Sequence, residues 1–275
     1  MQLEDSLADV LGKAARGLGL TAQELAGRSG VDLSDEVLFS AGSMPPRILE
    51  ALARTLGLRA SSLSALATGN YIPPRIRPPA GFFMATTPFG AMTVNAYLLW
   101  DLATRQAALF DSGGDAEPLL EKIGAERLSV QSIFITHAHG DHIYEVGRLA
   151  EKTHARVWVP EGEGFDGGES FSHGRIFRVG GLRIESRRTA GHAIAGASYF
   201  VEGLELPLVI VGDALFSGSI GGAKIDYSMA LEDIRSALFS LPPETIVCPG
   251  HGPMTTIGFE KEHNPFFPDE GVADC

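Results

Sequence analysis

Residues 136–142, Thr136-His137-Ala138-His139-Gly140-Asp141-His142, set three imidazoles and a carboxylate within six positions, directly after the apolar run Ser132-Ile133-Phe134-Ile135. A single histidine is usually an ordinary core or surface residue, but four such groups this close together point to a common purpose. If the backbone leaves a strand and enters a helix here, the two histidines two apart can turn to one ion, and the Asp and His that follow can turn to a second. That geometry requires a strand end opening into a loop and a helix, which makes an α/β scaffold the expected class. Imidazole and carboxylate suit Zn, Fe or Mn, and no Cys stands in the cluster.

The remainder of the chain agrees with that class. From Gly81 onward, runs of strand character cover Thr93–Trp100, Gln106–Phe110, Ser132–Thr136, Arg156–Val159, Leu182–Arg188, Ala197–Val201, Leu208–Val211 and Thr245–Cys248. Helical patterns occupy the regions near 116–123, 141–151 and 228–240. Upstream, residues 71–80 carry Pro73, Pro74, Pro78 and Pro79, a stretch that cannot continue a helix and reads as a linker. The expected organisation is a helical domain over 1–70, the linker, and an α/β domain over 81–275.

Within 1–70, Leu3, Leu7, Val10 and Leu11 share one helical face, and Thr21 with Glu24 forms a capping-box signature. Further helix starts are expected near Ser34, Pro45 and Ser61. The stretches Leu20–Val31 and Ile48–Leu58 resemble the Cro/repressor-like helix-turn-helix family, over about fifty residues. A DNA-reading helix should offer Arg, Lys, Asn or Gln to bases and phosphates. The corresponding stretch, Ser34-Asp35-Glu36-Val37-Leu38-Phe39-Ser40, is instead acidic and apolar, and residues 1–80 hold eight basic and eight acidic side chains. The expected role is structural or dimerising, with a homodimer formed through these helices. A formal net charge of -12 opposes general attraction to nucleic acid or an anionic membrane. The acidic N-terminal residues, the two cysteines and the lack of a long apolar run point to a reducing, cytoplasmic setting.

After the cluster come Ala190-Gly191-His192-Ala193-Ile194-Ala195-Gly196, then Val211-Gly212-Asp213-Ala214-Leu215-Phe216, then Pro249-Gly250-His251-Gly252-Pro253. In this order the four segments resemble the metallo-β-lactamase superfamily, whose T-H-x-H-x-D-H signature is reproduced in full, over residues 81 to about 268. The resemblance implies an αβ/βα sandwich preceded by the small all-helical domain. It also implies two divalent ions, zinc first and iron or manganese as alternatives. His137, His139 and His192 would hold one ion, Asp141, His142 and His251 the other, and Asp213 would bridge them. Ile194 and Ala195 depart from the family's usual Pro and Gly, which affects the shape of the turn and no ligand atom.

Two adjacent dications acidify a bridging water to hydroxide, so the resemblance implies hydrolysis, with Asp141 as the catalytic residue that orients the proton of the attacking water. The segment Glu260-Lys261-Glu262-His263-Asn264-Pro265-Phe266-Phe267 resembles the tail of the glyoxalase II-like branch, which cleaves small acyl or hydroxyacyl thioesters. Lys224, Tyr227, His263 and Asn264 are accordingly candidate substrate contacts. The branch usually carries a basic residue just after the Gly-rich turn, where this chain has Gly221-Gly222-Ala223. Competing readings are an iron persulfide dioxygenase using two His and the Asp, and a DNA-binding regulator with a metal-bound sensor domain. His154 and His173 are expected to be solvated, and Cys248 to be a buried strand residue.

Overall fold

In the computed structural model, which describes residues 2–31 and 44–268, the first elements are helices α1 (Leu7–Gly17), α2 (Ala22–Ser29), α3 (Pro46–Leu56) and α4 (Ala60–Ala67). The expected helix near Ser34, and with it the acidic stretch compared with a recognition helix, lies outside the described residues. Local chemistry sets the ends of the helices. Ser6 Oγ accepts from the Asp9 N–H at 3.3 Å while the Asp9 carboxylate accepts from the Ser6 N–H at 2.9 Å, and Thr21 and Glu24 form the same reciprocal box at α2. Pro46 begins α3, where a missing N–H goes unnoticed, and Gly57 ends it at φ 66°.

The first sheet has six strands in the order β1 (Phe82–Phe89), β2 (Met92–Trp100), β3 (Gln106–Phe110), β4 (Ser129–Phe134), β5 (Arg156–Pro160) and β6 (Glu169–Phe171). β1, β2 and β3 pair antiparallel; β3 to β6 pair parallel, with α5 (Glu117–Glu126) between β3 and β4 and α6 (Gly140–Ile143) and α7 (Val146–Thr153) between β4 and β5. The edge strand β1 tolerates Pro88 because only one side of it is paired. Strand β4 stops at Phe134, short of the expected Thr136, because the Thr136 N–H donates to Asp111 Oδ1 at 2.8 Å and the chain leaves the ladder. The single helix expected over 141–151 is two pieces, since the Glu145 N–H donates to Ser112 Oγ at 3.0 Å in place of a helical carbonyl.

The second sheet contains β7 (Ile176–Val179), β8 (Leu182–Arg188), β9 (Ala197–Glu202), β10 (Leu208–Gly212), β13 (Ile246–Pro249) and β14 (Thr255–Thr256), ordered β14-β13-β10-β9-β8-β7. Between β10 and β13 lie the hairpin β11 (Leu215–Phe216) and β12 (Ser219–Ile220), then α8 (Tyr227–Asp233), which continues as a π-helical turn over Ile234–Leu238. Helix α9 (Ile257–His263) follows β14, in a stretch expected only as a tail.

Three apolar clusters account for the layering. Tyr97, Phe110, Phe134, Trp158, Phe177, Tyr199, Ile210 and Cys248 fill the space between the two sheets. Cys248 is fully buried there and burial pushes its thiol pKa up, as expected of a strand residue rather than a nucleophile. Leu119, Val146 and Leu149 cover the outer face of the first sheet. On the outer face of the second sheet, Phe200, Val209, Val211 and Val247 join one continuous cluster with Leu11, Leu25, Leu52 and Leu63 of the N-terminal helices. Fully burying each such leucine contributes about 1.5–3 kcal/mol, so these helices act as the fourth layer of the sandwich. Among the described residues no helix is long and apolar enough to cross a membrane.

Candidate metal centre

The loop after β4 carries His137, His139, Asp141 and His142. His192 follows β8, Asp213 follows β10 and His251 follows β13. All seven meet where the two sheets' loops face each other. His139 Nδ1 lies 3.0 Å from His137 Nε2 and 3.0 Å from His192 Nε2, so three ring nitrogens converge on one point. Asp141 Oδ2 stands 3.2 Å from His251 Nε2 and 3.6 Å from His142 Nε2. Asp213 lies between the two groups, with Oδ1 3.3 Å from His142 Nε2 and Oδ2 3.4 Å from both His192 Nε2 and His251 Nε2. Within each of the triads His137–His139–His192, His137–His142–Asp213 and Asp141–His142–His251 the donor atoms fall within 4.8 Å of one another.

The far side of each ring shows why these nitrogens are bare. Thr136 Oγ1 donates to Asp111 Oδ2 at 2.8 Å, so it can only accept from His137 Nδ1 at 3.0 Å. His142 Nδ1 donates to Asp111 Oδ2 at 2.7 Å, His192 Nδ1 to the Gly222 carbonyl at 2.9 Å, and His251 Nδ1 to the Thr93 carbonyl at 2.6 Å. With the Nδ1 hydrogen bonded outward, each of these four rings turns its Nε2 inward, the arrangement that orients ligating imidazoles.

Electrostatics and burial test whether cations fit. His142 Nε2 and Asp213 Oδ1 are buried and make no hydrogen bond, a costly condition that coordination would relieve. Burial works against charge on His251, yet the neighbouring Asp141 and Asp213 carboxylates raise its pKa to about 10. Burial likewise opposes charge on His142, and Asp111 and Asp213 still hold its pKa well above the ordinary range. Two carboxylates sunk among five imidazoles therefore demand positive charge, which two divalent ions would supply. The donor set fits them.

Sequence reasoning missed the residues that hold this frame. Asp111, at φ 57° in the left-handed region, takes the Thr136 N–H and hydroxyl together with the His142 ring. Its signal was a carboxylate directly after strand β3. Glu163 accepts from the Ala138 N–H at 2.9 Å and from the Ala195 N–H at 2.7 Å, tying the His139 loop to the His192 loop. That contact explains how the turn keeps its shape without the usual Pro and Gly: Ala195 is held through its backbone and Ile194 projects outward, 66% exposed. No local pattern marks Glu163.

The substrate candidates fare differently. Lys224 is exposed on the loop that follows Gly222, beside His192. The Tyr227 ring packs against Gly17 of α1 and against Phe266, with ring centroids 6.4 Å apart, and burial raises its phenol to about 12. One expectation is corrected. Asn264 is fully buried and donates to the Ser219 carbonyl and to Glu260 Oε2, each at 2.9 Å, so it anchors the β11–β12 hairpin and cannot touch substrate. The His263 ring lies tilted against that of Phe259, with centroids 4.6 Å apart, and lines a pocket with Tyr71 and Ile72 that none of the seven residues borders. His154 is exposed at the end of α7, and His173 is half-buried beside Phe171.

Comparison with known proteins places this geometry. The family model of the metallo-beta-lactamase superfamily matches residues 89–251, from β1 to the last of the seven residues. The hydroxyacylglutathione hydrolase GloC of Haemophilus influenzae is 30% identical over 204 residues, 65% of this chain and 95% of its own length. Among solved structures, the B3 metallo-beta-lactamase BLEG-1 superposes with a TM-score of 0.61 at 30% identity, covering 67% of this chain and 99% of that one. TTHA1623 in a di-iron-bound form superposes with a TM-score of 0.54 at 28% identity, covering 67% of this chain and 100% of that one. With the family model running from the first sheet to His251 and the identity to GloC sustained over nearly all of that protein, the chain belongs to the metallo-beta-lactamase superfamily.

Proposed function

We propose that the protein is a dinuclear metallo-hydrolase that cleaves a small acyl or hydroxyacyl thioester. The observation that carries the reading is the inward-facing donor set, with four Nε2 atoms turned inward by hydrogen bonds on the far side of each ring. His137, His139 and His192 would hold one ion, Asp141, His142 and His251 a second, and Asp213 would bridge them. When bound, such a pair supplies Lewis acidity for a carbonyl and lowers the pKa of a water toward neutrality. Asp141, half-buried beside His251, would hold and orient the proton of the attacking water. A thiolate leaving group needs little protonation, which suits a centre built from metal-type ligands alone. GloC, whose name records hydroxyacylglutathione hydrolysis, supports the thioester as substrate, and the di-iron form of TTHA1623 keeps iron beside zinc as a candidate ion.

The test is thiol release from a thioester series, lactoylglutathione included, by protein of measured metal content. Hydrolysis with two ions per chain is expected. Sulfite formation from glutathione persulfide by iron-loaded protein, with no thioester cleavage, would transfer the assignment to a persulfide dioxygenase.

A further inference from the structure

Lys13 joins the N-terminal helices to the loops of the centre. Lys13, on α1, is 13% exposed at its side chain, forms an ion pair with Asp5, and donates from Nζ to the Ile220 carbonyl at 2.8 Å. Its ammonium also stands 5.0 Å from the centroid of the Phe216 ring. In the β11–β12 hairpin Ile220 stands at the open end, opposite Leu215, and Phe216 at the turn, opposite Ser219; the Phe216 ring meets that of His251 edge-on at 5.9 Å. Two residues beyond Ile220, the Gly222 carbonyl receives the proton of His192 Nδ1 at 2.9 Å. Gly221, between them, presses on the Asp213 carbonyl so closely that no Cβ could fit. On its other side the hairpin is gripped by Asn264, at the Ser219 carbonyl, and by the Glu260 carboxylate, which accepts the Gly218 N–H at 3.0 Å. Lys13 is therefore the grip on the side of the hairpin that leads into the Gly222 turn.

We propose that Lys13, steadied by Asp5, is a positioning residue of the metal centre, fixing Ile220 so that the Gly222 carbonyl holds His192 with its Nε2 turned inward. The N-terminal helices are then a working part of the centre. The inference rests on the reading of His137, His139 and His192 as ligands of one ion. It concerns only how His192 is held.

The test uses the full chain with Lys13→Met, which keeps the stem and removes the ammonium, and Lys13→Arg, which restores a donor. Two readouts apply. Amide hydrogen exchange of the metal-free protein should speed up selectively over 215–222 in Lys13→Met and return toward wild type in Lys13→Arg. Chelator competition with cobalt, followed by the absorption of each site, should show about tenfold weaker binding at the three-histidine site, the lower end of what loss of a partner outside the ligand sphere costs. Wild-type exchange and affinity in Lys13→Met would overturn the inference, as would faster exchange across the whole chain with equal loss at both sites. Should Lys13→Met fail to fold, Asp5→Asn decides by the same two measurements. Wild-type protein that takes up no cobalt would sink the metal reading itself, while exchange over 215–222 would still decide whether Lys13 holds the hairpin.

Discussion

Asp111 Oδ2 accepts the His142 Nδ1 proton at 2.7 Å, so a residue from the end of the third strand sets the ring orientation of one deep within the cluster. Both side chains are almost fully buried, which makes the contact strong and its loss expensive. Asp111→Ala is expected to weaken the ion held by Asp141, His142 and His251 about 10–100-fold, with a smaller effect on the other site. Stepwise metal titration monitored by a chelating dye checks this, and unchanged binding at that site would show that His142 is held by packing alone.

Asp213 faces both groups of donors, and a bridging carboxylate offsets the repulsion between adjacent dications. Asp213→Ala should therefore lose both ions and all turnover, whereas Asp141→Ala should lose the second ion preferentially. Elemental analysis of the two purified variants separates these outcomes. Equal loss from both sites in Asp141→Ala would show that the ligands divide differently.

Glu260 is fully buried, and burial raises its carboxyl pKa to about 7 against the opposing hydrogen bonds from Gly218, Thr255, Asn264 and Tyr71. The folded state thus holds a proton that the unfolded chain has released above about pH 4.5. The sign follows: this contribution to stability is complete below about pH 4.5, declines as pH rises toward 7, and is absent above that. Glu260→Gln, which can keep the network, should flatten that part of the stability curve. Chemical denaturation at several pH values between 4 and 8 measures the slope, and a slope identical to wild type would refute the assignment to Glu260.

Leu52 is fully buried in the cluster that α3 shares with the second sheet. Leu52→Ala should cost about 2–5 kcal/mol and lower the midpoint of a single cooperative transition seen by both helical circular dichroism and metal release. Two separate transitions, with only the first shifted, would show that the helices fold apart from the sandwich.

The centre was largely legible because its histidines and carboxylates stand in short local patterns at the ends of strands, where sequence and space coincide. Strands such as Arg156–Pro160 and Leu208–Gly212 were equally plain from their Val, Ile and Trp residues. Asp111, Glu163 and Lys13 were not, since each acts on a partner remote in the chain and carries no motif. Lys13 and Ile220 are 207 residues apart. Asn264 misled for the opposite reason: its neighbours resemble a family tail, but three-dimensional packing turns it inward to the hairpin. The π-helical turn over Ile234–Leu238 continued an apolar helical pattern, so only its hydrogen-bond spacing was hidden.

Four of the seven clustered residues rise from one sheet, and His192, Asp213 and His251 rise from the other. Any sliding of one sheet over the other would alter every cross-sheet distance at once, so bound ions would act as a rivet through the seam of the sandwich. Affinity for metal and resistance to shear between the sheets are then a single quantity, and the melting temperature should climb with free metal concentration as the rivet is set.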